Sequence, residues 1–268
     1  MFSPLTFSMP LITFVTVISV LCTIIYLQMK LIKLNAIDST NEYIKKIKDS
    51  IEDKEIAVFT FNQTLGKGQM GKVWSSEPNK NICMSFIFKE LEITVTNNFK
   101  LNILVSLLLI KVLKNLGLKE LSVKWPNDIL SEGKKLCGIL IESNIKKTEI
   151  TQSIIGIGLN VNQSYFGNLI NATSIVNSIN NHSNLDEISL KIISEFERFR
   201  SLIHNSDFNK LKTDYLELLY GYEIEKQFRI SGKVFMGEII DINNLGMLVV
   251  KINGKKLEFK NQEIELIY

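Results

Sequence analysis

The chain has 268 residues, of which 46% are hydrophobic and 22% are charged, and its formal net charge at pH 7 is +3. This length can bury a full core, either as one large domain or as one domain with a small additional module. The weak positive charge, without a basic run interleaved with aromatics, does not indicate a nucleic-acid partner. Cys22, Cys83 and Cys137 are far apart and form no C-x-x-C pair, which excludes a disulfide framework and a zinc site and favours the reducing cytosol. The two histidines, His182 and His204, lie outside the motifs described below, so catalysis by histidine is not expected.

The first 28 residues contain no charged side chain, and the apolar run 11–28 has about the length of a bilayer core. Lys30 and Lys33 follow at once, as on the cytoplasmic side of a membrane anchor. A cleaved signal peptide is not favoured, because no basic segment precedes the run and no A-x-A site follows it. Met29 could also open the folded chain, so the alternative to an anchor is an upstream start codon that is not used. Both interpretations place the folded part after Met29, in the cytoplasm.

The first elements after Met29 are a predicted strand over 30–35 and a predicted helix over 41–49. Ser39 or Thr40 is the predicted N-cap of this helix. Capping explains these hydroxyls without a ligand, and a contact with a ligand is the alternative.

Residues 65–74 (LGKGQMGKVW) combine closely spaced glycines with two lysines. Glycine lets the backbone turn through positive φ and approach a ligand closely, and lysine supplies a positive charge for a phosphate. The G-x-G-x-x-G spacing matches a dinucleotide-binding fingerprint, which needs a strand before it and a helix after it. A strand is predicted over 55–61, but Pro78 and its polar neighbours indicate a turn where the helix would begin. The sequence therefore predicts a mobile basic loop and excludes the dinucleotide fold.

The middle of the chain is predicted to contain strands around one long helix. The apolar run 82–88 predicts a buried strand, and residues 97–116 predict a core helix, rather than a membrane span, that ends at Gly117. Successive antiparallel strands joined by hairpins are predicted over 121–130, 134–142 and 149–162.

Three features of these strands are candidates for a site. Lys124 and Asp128 flank a strand end at which Pro126 stops ladder pairing, and Lys135 is a charge within an apolar strand. Gly156 and Gly158 alternate, which leaves one face of a strand without side chains and favours the close approach of a ligand. A solvated turn, a surface lysine and packing glycines would explain each feature alone, but together they indicate one site.

The rest of the chain is predicted to form two amphipathic helices and a small β-barrel. The helices cover 187–203 and 207–220. From residue 222 onward, short alternating strands are separated by turns at 231–232, 243–244 and 253–254.

With these elements in place, the chain from about residue 30 to residue 268 resembles the biotin–protein ligases, also called biotin–[acetyl-CoA-carboxylase] ligases. The motifs that carry the resemblance follow in the family's order and are 38–41 (DSTN), Gln63 with 66–74 (GKGQMGKVW), 124–128 (KWPND), 135–142 (KLCGILIE) and 156–160 (GIGLN). The resemblance implies an α+β fold, with a mixed, largely antiparallel sheet and helices packed on one side, as in class II synthetases, followed by a C-terminal SH3-like β-barrel. The implied domains are a hydrophobic segment 1–28, a catalytic domain 29–220 and an SH3-like domain 221–268.

The family implies an ATP-dependent, AMP-forming reaction in two steps. Biotin is activated by ATP to biotinyl-5′-AMP with release of pyrophosphate, and biotin then passes to a lysine of a biotin carboxyl carrier domain, such as that of acetyl-CoA carboxylase. Biotin and ATP are thus the expected substrates, Mg²⁺ is the expected metal, and the carrier domain is the expected partner. No nucleic acid is expected, a homodimer is left open, and a membrane contact is expected only if 11–28 is an anchor.

The resemblance also implies roles for residues of this chain. Lys135 would stabilise charge at the α-phosphate, and Asp128 would hold Mg²⁺ or orient and deprotonate the carrier lysine. The residues implied to bind biotin are Ser39, Thr40, Gln63, Gly66, Lys67, Gln69, Lys135 and Gly138. The residues implied to bind ATP or the adenylate are Lys67, Lys72, Trp74 (which would stack on adenine), Lys124 and Asn160. For Ser39 and Thr40 these roles favour ligand binding over capping alone.

The glycine-rich loop departs from the family's usual arginine-rich form, G-R-G-R-x-G-R, because Lys67, Gln69 and Lys72 stand at the arginine positions. Gln69 removes one cation, so the loop is expected to hold the acyl-adenylate less strongly. Asn79 replaces a usual glycine, which is tolerable because asparagine can adopt the left-handed conformation. No helix-turn-helix domain precedes the catalytic part, so the repressor activity of bifunctional members is not expected.

Two other functions compete with this interpretation. A lipoate or octanoate ligase or transferase shares the catalytic fold, although the motif 124–128 and the C-terminal barrel argue against it. A non-catalytic, membrane-tethered binding protein with a degenerate site is the second alternative.

Overall fold

The structure, a computed structural model, describes residues 29–267. The predicted apolar segment 1–28 lies outside the described residues. In chain order, the strands and helices of the first part are β1 Lys30–Leu34, α1 Thr40–Ile47, β2 Glu55–Thr60, β3 Gly66–Lys67, β4 Val73–Trp74, β5 Asn81–Thr94, α2 Asn98–Asn115, β6 Leu121–Lys124, β7 Asp128–Ser131, β8 Lys134–Lys146 and β9 Glu149–Asn160. The second part contains α3 Ile175–Ile179, α4 Leu185–Phe196, α5 Phe199–Asn205, α6 Phe208–Glu217, β10 Glu225–Ile230, β11 Lys233–Ile242, β12 Leu248–Ile252, β13 Lys255–Phe259 and β14 Glu265–Leu266.

A seven-stranded sheet with the order β1-β2-β5-β9-β8-β7-β6 forms the centre of the fold. β1 pairs with β2 in parallel, and the other neighbours pair antiparallel. The run from β6 to β9 is a set of consecutive antiparallel strands, as the sequence predicts. The mixed sheet with packed helices confirms the predicted α+β class.

Helices cover this sheet unequally. The large core lies between one face and the helices α2, α4, α5 and α6. On β2, Ala57 and Phe59 belong to that core, whereas Ile56 and Val58 belong to a small cluster with Ile44 of α1. Because side chains alternate between the faces of a strand, α1 packs on the face opposite the other helices. Burial on both faces explains the continuous apolar run of β5, of which residues 81–88 are all buried.

α2 is the long apolar helix of the predicted core. It is long and apolar enough to cross a membrane by length and composition, but 61% of that stretch is buried inside the protein. It packs against α4, α5 and α6 and against β6 and β8 of the sheet, and Gly117 follows its end with φ +87°. The core-helix prediction is therefore confirmed.

The predicted single helix over 187–203 is wrong, because the structure breaks it into α4 and α5. Phe196 at the end of α4 stacks on Phe86, with ring centroids 4.3 Å apart. Phe199 at the start of α5 stacks on Phe88, with ring centroids 4.4 Å apart. The break thus lets two aromatic rings pack on successive inward positions of β5, a tertiary requirement without a local sequence signal.

β10 to β14 form a five-stranded antiparallel sheet with the order β13-β12-β11-β10-β14, consistent with an SH3-like domain. The predicted hairpin turns at 231–232 and 253–254 are confirmed, since both residues of each turn have positive φ. Trp125 Nε1 donates to the Gly246 carbonyl at 2.9 Å, which joins this sheet to the turn between β6 and β7. The boundary between residues 220 and 221 stays a prediction.

The glycine-rich stretch forms a small hairpin. β3 pairs with β4 through Gly66 opposite Trp74 and Lys67 opposite Val73, in a sheet of its own. Since a hairpin and not a helix follows β2, the exclusion of a dinucleotide-binding fold is confirmed. Asn79 has φ +58°, as expected where asparagine replaces glycine.

Candidate active site

A cavity of about 410 Å³ lies between the central sheet, the hairpin β3–β4 and the C-terminal sheet. Most of the predicted site residues line it: Ser39, Thr40, Gln63, Lys67, Gln69, Lys72, Trp74, Lys124, Asp128, Lys135 and Gly138. The cavity therefore brings together motifs that are far apart in the chain.

One end of the cavity is a network of buried neutral polar groups. Ser39 is the N-cap of α1, and its Oγ accepts a hydrogen bond from the Glu42 N–H, so the capping prediction is confirmed. The Thr40 N–H and hydroxyl both donate to Gln63 Oε1, at 2.9 and 3.3 Å. Ser85 Oγ lies 2.6 Å from Thr40 Oγ1 and 2.5 Å from Asn41 Oδ1. Buried polar groups are stable only when they are bonded, so this network holds its donors and acceptors in fixed positions at the cavity wall.

Glycines on β8 and β9 form the floor of the cavity. An added Cβ at Gly156 would lie 2.4 Å from Asn41 Oδ1, and one at Gly158 would lie 2.3 Å from the Trp74 ring. At Gly138 an added Cβ would meet the same ring at 3.0 Å. The sequence predicts close approach to this bare strand face, and in the structure the approaching groups are side chains of the protein itself.

The other end of the cavity is charged. Lys135 Nζ is 2.7 Å from Asp128 Oδ1 and 5.7 Å from the centroid of the Trp74 ring. Lys124 and Asp128 stand opposite each other in the backbone register of β6 and β7. Burial lowers the pKa of Lys124 to about 8; the Asp128 carboxylate opposes this shift, and Lys135 and Lys72 reinforce it. Lys72, Lys124 and Lys135 outnumber the carboxylates of Asp128 and Glu265 at this end, so it is suited to an anionic ligand.

The backbone holds Lys135 firmly. Its N–H donates to the Asn171 carbonyl at 2.7 Å, and its carbonyl accepts from the Thr173 N–H at 2.8 Å. The pairing of β7 with β8 is irregular next to Leu130, which faces Lys135. A bulge of this kind re-aims a side chain at a strand end.

A metal could be held here only with help from a ligand. The described residues contain no group of three His, Cys, Asp or Glu side chains placed to bind a metal ion. Asp128 and Glu265 both line the cavity. Mg²⁺ is commonly bound by one or two carboxylates and completes its shell with phosphate oxygens and water. The carboxylates present therefore fit a magnesium ion that arrives with phosphates.

Two predicted site residues do not line the cavity. Gly66 lies beneath it, where an added Cβ would be 2.4 Å from the Trp74 carbonyl and 2.6 Å from Gln63 Nε2. Asn160 is 4% exposed, and its Nδ2 donates to the Thr173 carbonyl at 2.9 Å. The structure thus gives Asn160 the role of fixing the segment that is bonded to the Lys135 backbone.

Sequence reasoning missed the contribution of the C-terminal sheet. The cavity residues from this part of the chain are Ile239, Leu248, Asn261, Gln262, Ile264, Glu265 and Leu266. The hydrogen bond between Asn261 and Gln69 joins this sheet to the hairpin. These two residues are distant in the sequence, so no local sequence pattern indicates their contact. Asn41 was also missed as a wall residue, although it belongs to the motif at 38–41.

Comparisons with known proteins agree with this geometry. Residues 34–160 match the biotin/lipoate A/B protein ligase family. The chain is 27% identical over 237 residues to the bifunctional ligase/repressor BirA of Bacillus subtilis, covering 87% of this chain and 72% of that protein. It is 25% identical over 207 residues to a biotin–[acetyl-CoA-carboxylase] ligase of Mycobacterium tuberculosis, covering 75% of this chain and 74% of that protein.

A solved structure shares the fold of nearly the whole chain. The biotin protein ligase from Aquifex aeolicus, in complex with biotin and ATP, superposes with a TM-score of 0.73 at 24% identity. The match covers 89% of this chain and 98% of that one, so it extends over both sheets.

Proposed function

Because the chain belongs to the biotin/lipoate A/B protein ligase family, we propose that it is a biotin–protein ligase. It activates biotin with ATP to biotinyl-5′-AMP and transfers the biotinyl group to a lysine of a biotin carboxyl carrier domain, in the cytoplasm. The observation that carries this proposal is the division of one cavity into a neutral, hydrogen-bonding end around Thr40 and a cationic end around Lys135.

The neutral end supports biotin over lipoate as the substrate. Biotin carries a ureido group with one carbonyl and two N–H groups, whereas the dithiolane of lipoate has no comparable partners. Ser39 and Thr40 are both 3% exposed, and together with Gln63 they offer hydroxyl and amide groups to a ligand. A ureido ring can join this hydrogen-bonded network through its carbonyl and N–H groups, whereas a dithiolane cannot, so these residues favour biotin.

The cationic end supports attack of a carboxylate on a phosphate. The biotin carboxylate attacks the α-phosphorus of ATP, a P–O bond forms, and the bond to pyrophosphate breaks. Lys135, whose Nζ lies 2.7 Å from Asp128 Oδ1, stabilises the negative charge that grows on the α-phosphate oxygens. Lys124 and Lys72 add positive charge on the phosphate side. Asp128 would be the residue that holds Mg²⁺, which would supply further neutralisation of the phosphate charge.

Transfer to the carrier needs a neutral lysine amine. The amine attacks the acyl carbon of the adenylate, the C–O bond to AMP breaks, and one proton must leave the nitrogen. In this proposal Asp128, which forms an ion pair with Lys135, orients the incoming amine and accepts that proton. Trp74 and the hairpin cover the adenylate during this exchange.

ATP–pyrophosphate exchange tests the proposal. The purified full chain should exchange labelled pyrophosphate into ATP when biotin is present, and it should not do so with lipoate or octanoate. Stimulation by lipoate or octanoate and not by biotin would replace the proposal with the related acyl ligase function. Absence of exchange with all three acids would leave a non-catalytic binding protein or an acyl transferase that does not use ATP.

A further inference from the structure

The hairpin β3–β4 is attached to the rest of the protein by few backbone hydrogen bonds. Its two strands pair with each other in a separate sheet. At its start, the Leu65 N–H donates to the Asp38 carbonyl at 2.9 Å. Leu65, Met70 and Val73 are 68%, 68% and 80% exposed, so apolar burial comes mainly from Trp74. Apart from the packing of Trp74, the position of the hairpin therefore depends on contacts of its polar side chains.

One contact ties the hairpin to α1. Lys67 Nζ lies 3.2 Å from Glu42 Oε1, and the same oxygen accepts from Lys45 Nζ at 2.8 Å. Lys45 Nζ is also 2.7 Å from Glu142 Oε1 on β8. Hydrogen bonds from Lys45 and Lys67 lower the pKa of Glu42 against the opposing effect of burial, so Glu42 is anionic at neutral pH. Through this chain of charges the hairpin is connected to the central sheet.

A second contact ties the hairpin to the C-terminal sheet. Asn261 Nδ2 donates to Gln69 Oε1 at 2.9 Å. Asn261 lies in a turn in which the Lys260 N–H donates to Glu263 Oε2 at 2.8 Å and the Glu263 N–H donates to the Lys260 carbonyl at 3.1 Å. The turn is fixed by its own hydrogen bonds, so it offers the Asn261 amide in a defined place.

We propose that Glu42 and Asn261 are positioning residues that hold the hairpin over the cavity from two different walls, Glu42 through Lys67 and Asn261 through Gln69. This inference rests on the proposed function. Glu42 does not line the cavity, so it acts on a ligand through Lys67. The first contact is ionic and is weakened by salt, whereas the second joins two neutral amides and is not.

Hydrogen exchange at the backbone amides of 66–74 tests the two contacts in the ligand-free full chain. Glu42→Gln should speed this exchange about two- to fivefold at low salt, and high salt should remove the difference. Asn261→Ala should speed it about two- to tenfold at any salt concentration. The combined variant should show about the product of the two effects, because the contacts share no residue.

Two control variants carry substitutions of the same chemical type at places away from the hairpin. Asp214→Asn breaks an exposed ion pair with Lys210 on α6, and Asn244→Ala removes an exposed amide from another turn of the C-terminal sheet. Both controls should leave exchange at 66–74 unchanged. Unchanged exchange in β5 and β9 would show that the test variants remain folded.

A kinetic measurement links the hairpin to the reaction. Each variant should release biotinyl-AMP faster than the unmodified chain, by the same factor as its increase in hydrogen exchange. Glu42→Gln should also raise KM for biotin and leave kcat for adenylation unchanged. Exchange at 66–74 equal to that of the unmodified chain, or faster exchange with unchanged release, would overturn the inference. If the unmodified chain forms no biotinyl-AMP, the proposed function is refuted instead. The hydrogen-exchange experiment would still decide whether the two contacts hold the hairpin.

Discussion

The floor of the cavity and the hairpin above it both use glycines and lysines, but they are held in different ways. On the floor, β8 and β9 pair from Cys137 opposite Leu159 to Lys146 opposite Glu149, within a seven-stranded sheet. The hairpin has two residue pairs and largely exposed apolar side chains. Lys135, proposed to act on the α-phosphate, stands on the floor strand β8, whereas Lys67, Lys72 and Trp74, proposed to bind the adenylate, stand on the hairpin. A rigid floor fixes the geometry of the reaction, whereas a weakly held hairpin can open for ligands.

Lys135→Ala on β8 should have the largest effect of any single change. It removes the cation nearest to the proposed α-phosphate position, so adenylate formation should fall by roughly 10²- to 10³-fold. Lys134→Ala, which changes an exposed neighbour on the same strand, is the control and should retain activity. Thermal unfolding should be similar for both variants. Unchanged pyrophosphate exchange in Lys135→Ala would reject the proposed role of this lysine.

Gly158→Ala tests whether the floor must stay bare. The new Cβ would lie 2.3 Å from the Trp74 ring, so the ring must move. Overpacking of this kind costs about 1–3 kcal/mol, and because this cost opposes the present position of Trp74, adenylate formation should fall about 5- to 160-fold. Gly68→Ala on the hairpin is the control, because its Cβ would have its nearest neighbour at 3.4 Å and its φ is −103°. Equal rates of adenylate formation in Gly158→Ala and Gly68→Ala would contradict the claim that the floor, and not the hairpin, must stay free of side chains.

The pKa of Lys124 predicts a pH dependence. The pKa is lowered from 10.5 to about 8, mainly by burial, so the side chain loses its positive charge above that pH. We expect kcat/KM for ATP to fall about tenfold per pH unit above 8, because this ratio reports ionisations of the free enzyme. Lys124→Arg should keep the charge and move the decline to higher pH.

A change in stability caused by Lys124 would not explain that decline. Between pH 8 and 10.5 the unfolded chain binds more protons at Lys124 than the folded chain does. The contribution of this residue to stability therefore rises with pH over that range. A decline that is identical in Lys124→Arg would assign the ionisation to another group.

Gln69→Arg should have the smallest effect, because it lies on the hairpin. It restores a cation at the position where the family's loop usually has arginine. Gln69→Arg also removes the amide oxygen that accepts from Asn261, so its effect is measured in the Asn261→Ala chain, in which that hydrogen bond is already absent. An exposed charge pair contributes about 0.2–1 kcal/mol, so adding Gln69→Arg to Asn261→Ala should slow the release of biotinyl-AMP by up to about fivefold. Leu65→Arg adds the same charge at an exposed position outside the cavity and should leave release unchanged. Release that is equally slow in both variants would show that net charge, and not position, is responsible.

The sequence predicted local features better than long-range ones. Turn residues with positive φ, the N-cap at Ser39 and the end of α2 at Gly117 were predictable, because each depends on neighbouring residues. The grouping of Lys124, Asp128 and Lys135 was also predictable, since antiparallel strands joined by hairpins bring their ends together.

Features that depend on tertiary packing could not be predicted in this way. The break between α4 and α5 serves ring stacking on β5, and α1 packs on the opposite face of the sheet from the other helices. Asn160 belongs to a predicted motif, but its side chain turns to the Thr173 carbonyl. The contact of Gln69 with Asn261 joins residues that are distant in the chain, so neither periodicity nor a motif indicates it.

Transfer of biotin to a carrier domain tests the central claim most directly. The full chain would be incubated with biotin, ATP, Mg²⁺ and a purified biotin carboxyl carrier domain, and the carrier would then be analysed by intact mass spectrometry. The account predicts the addition of one biotinyl group to a single carrier lysine, dependent on ATP and absent when Lys135→Ala replaces the unmodified chain. A carrier that gains no biotin, or a lipoyl domain that gains lipoate in its place under the same conditions, would contradict the account.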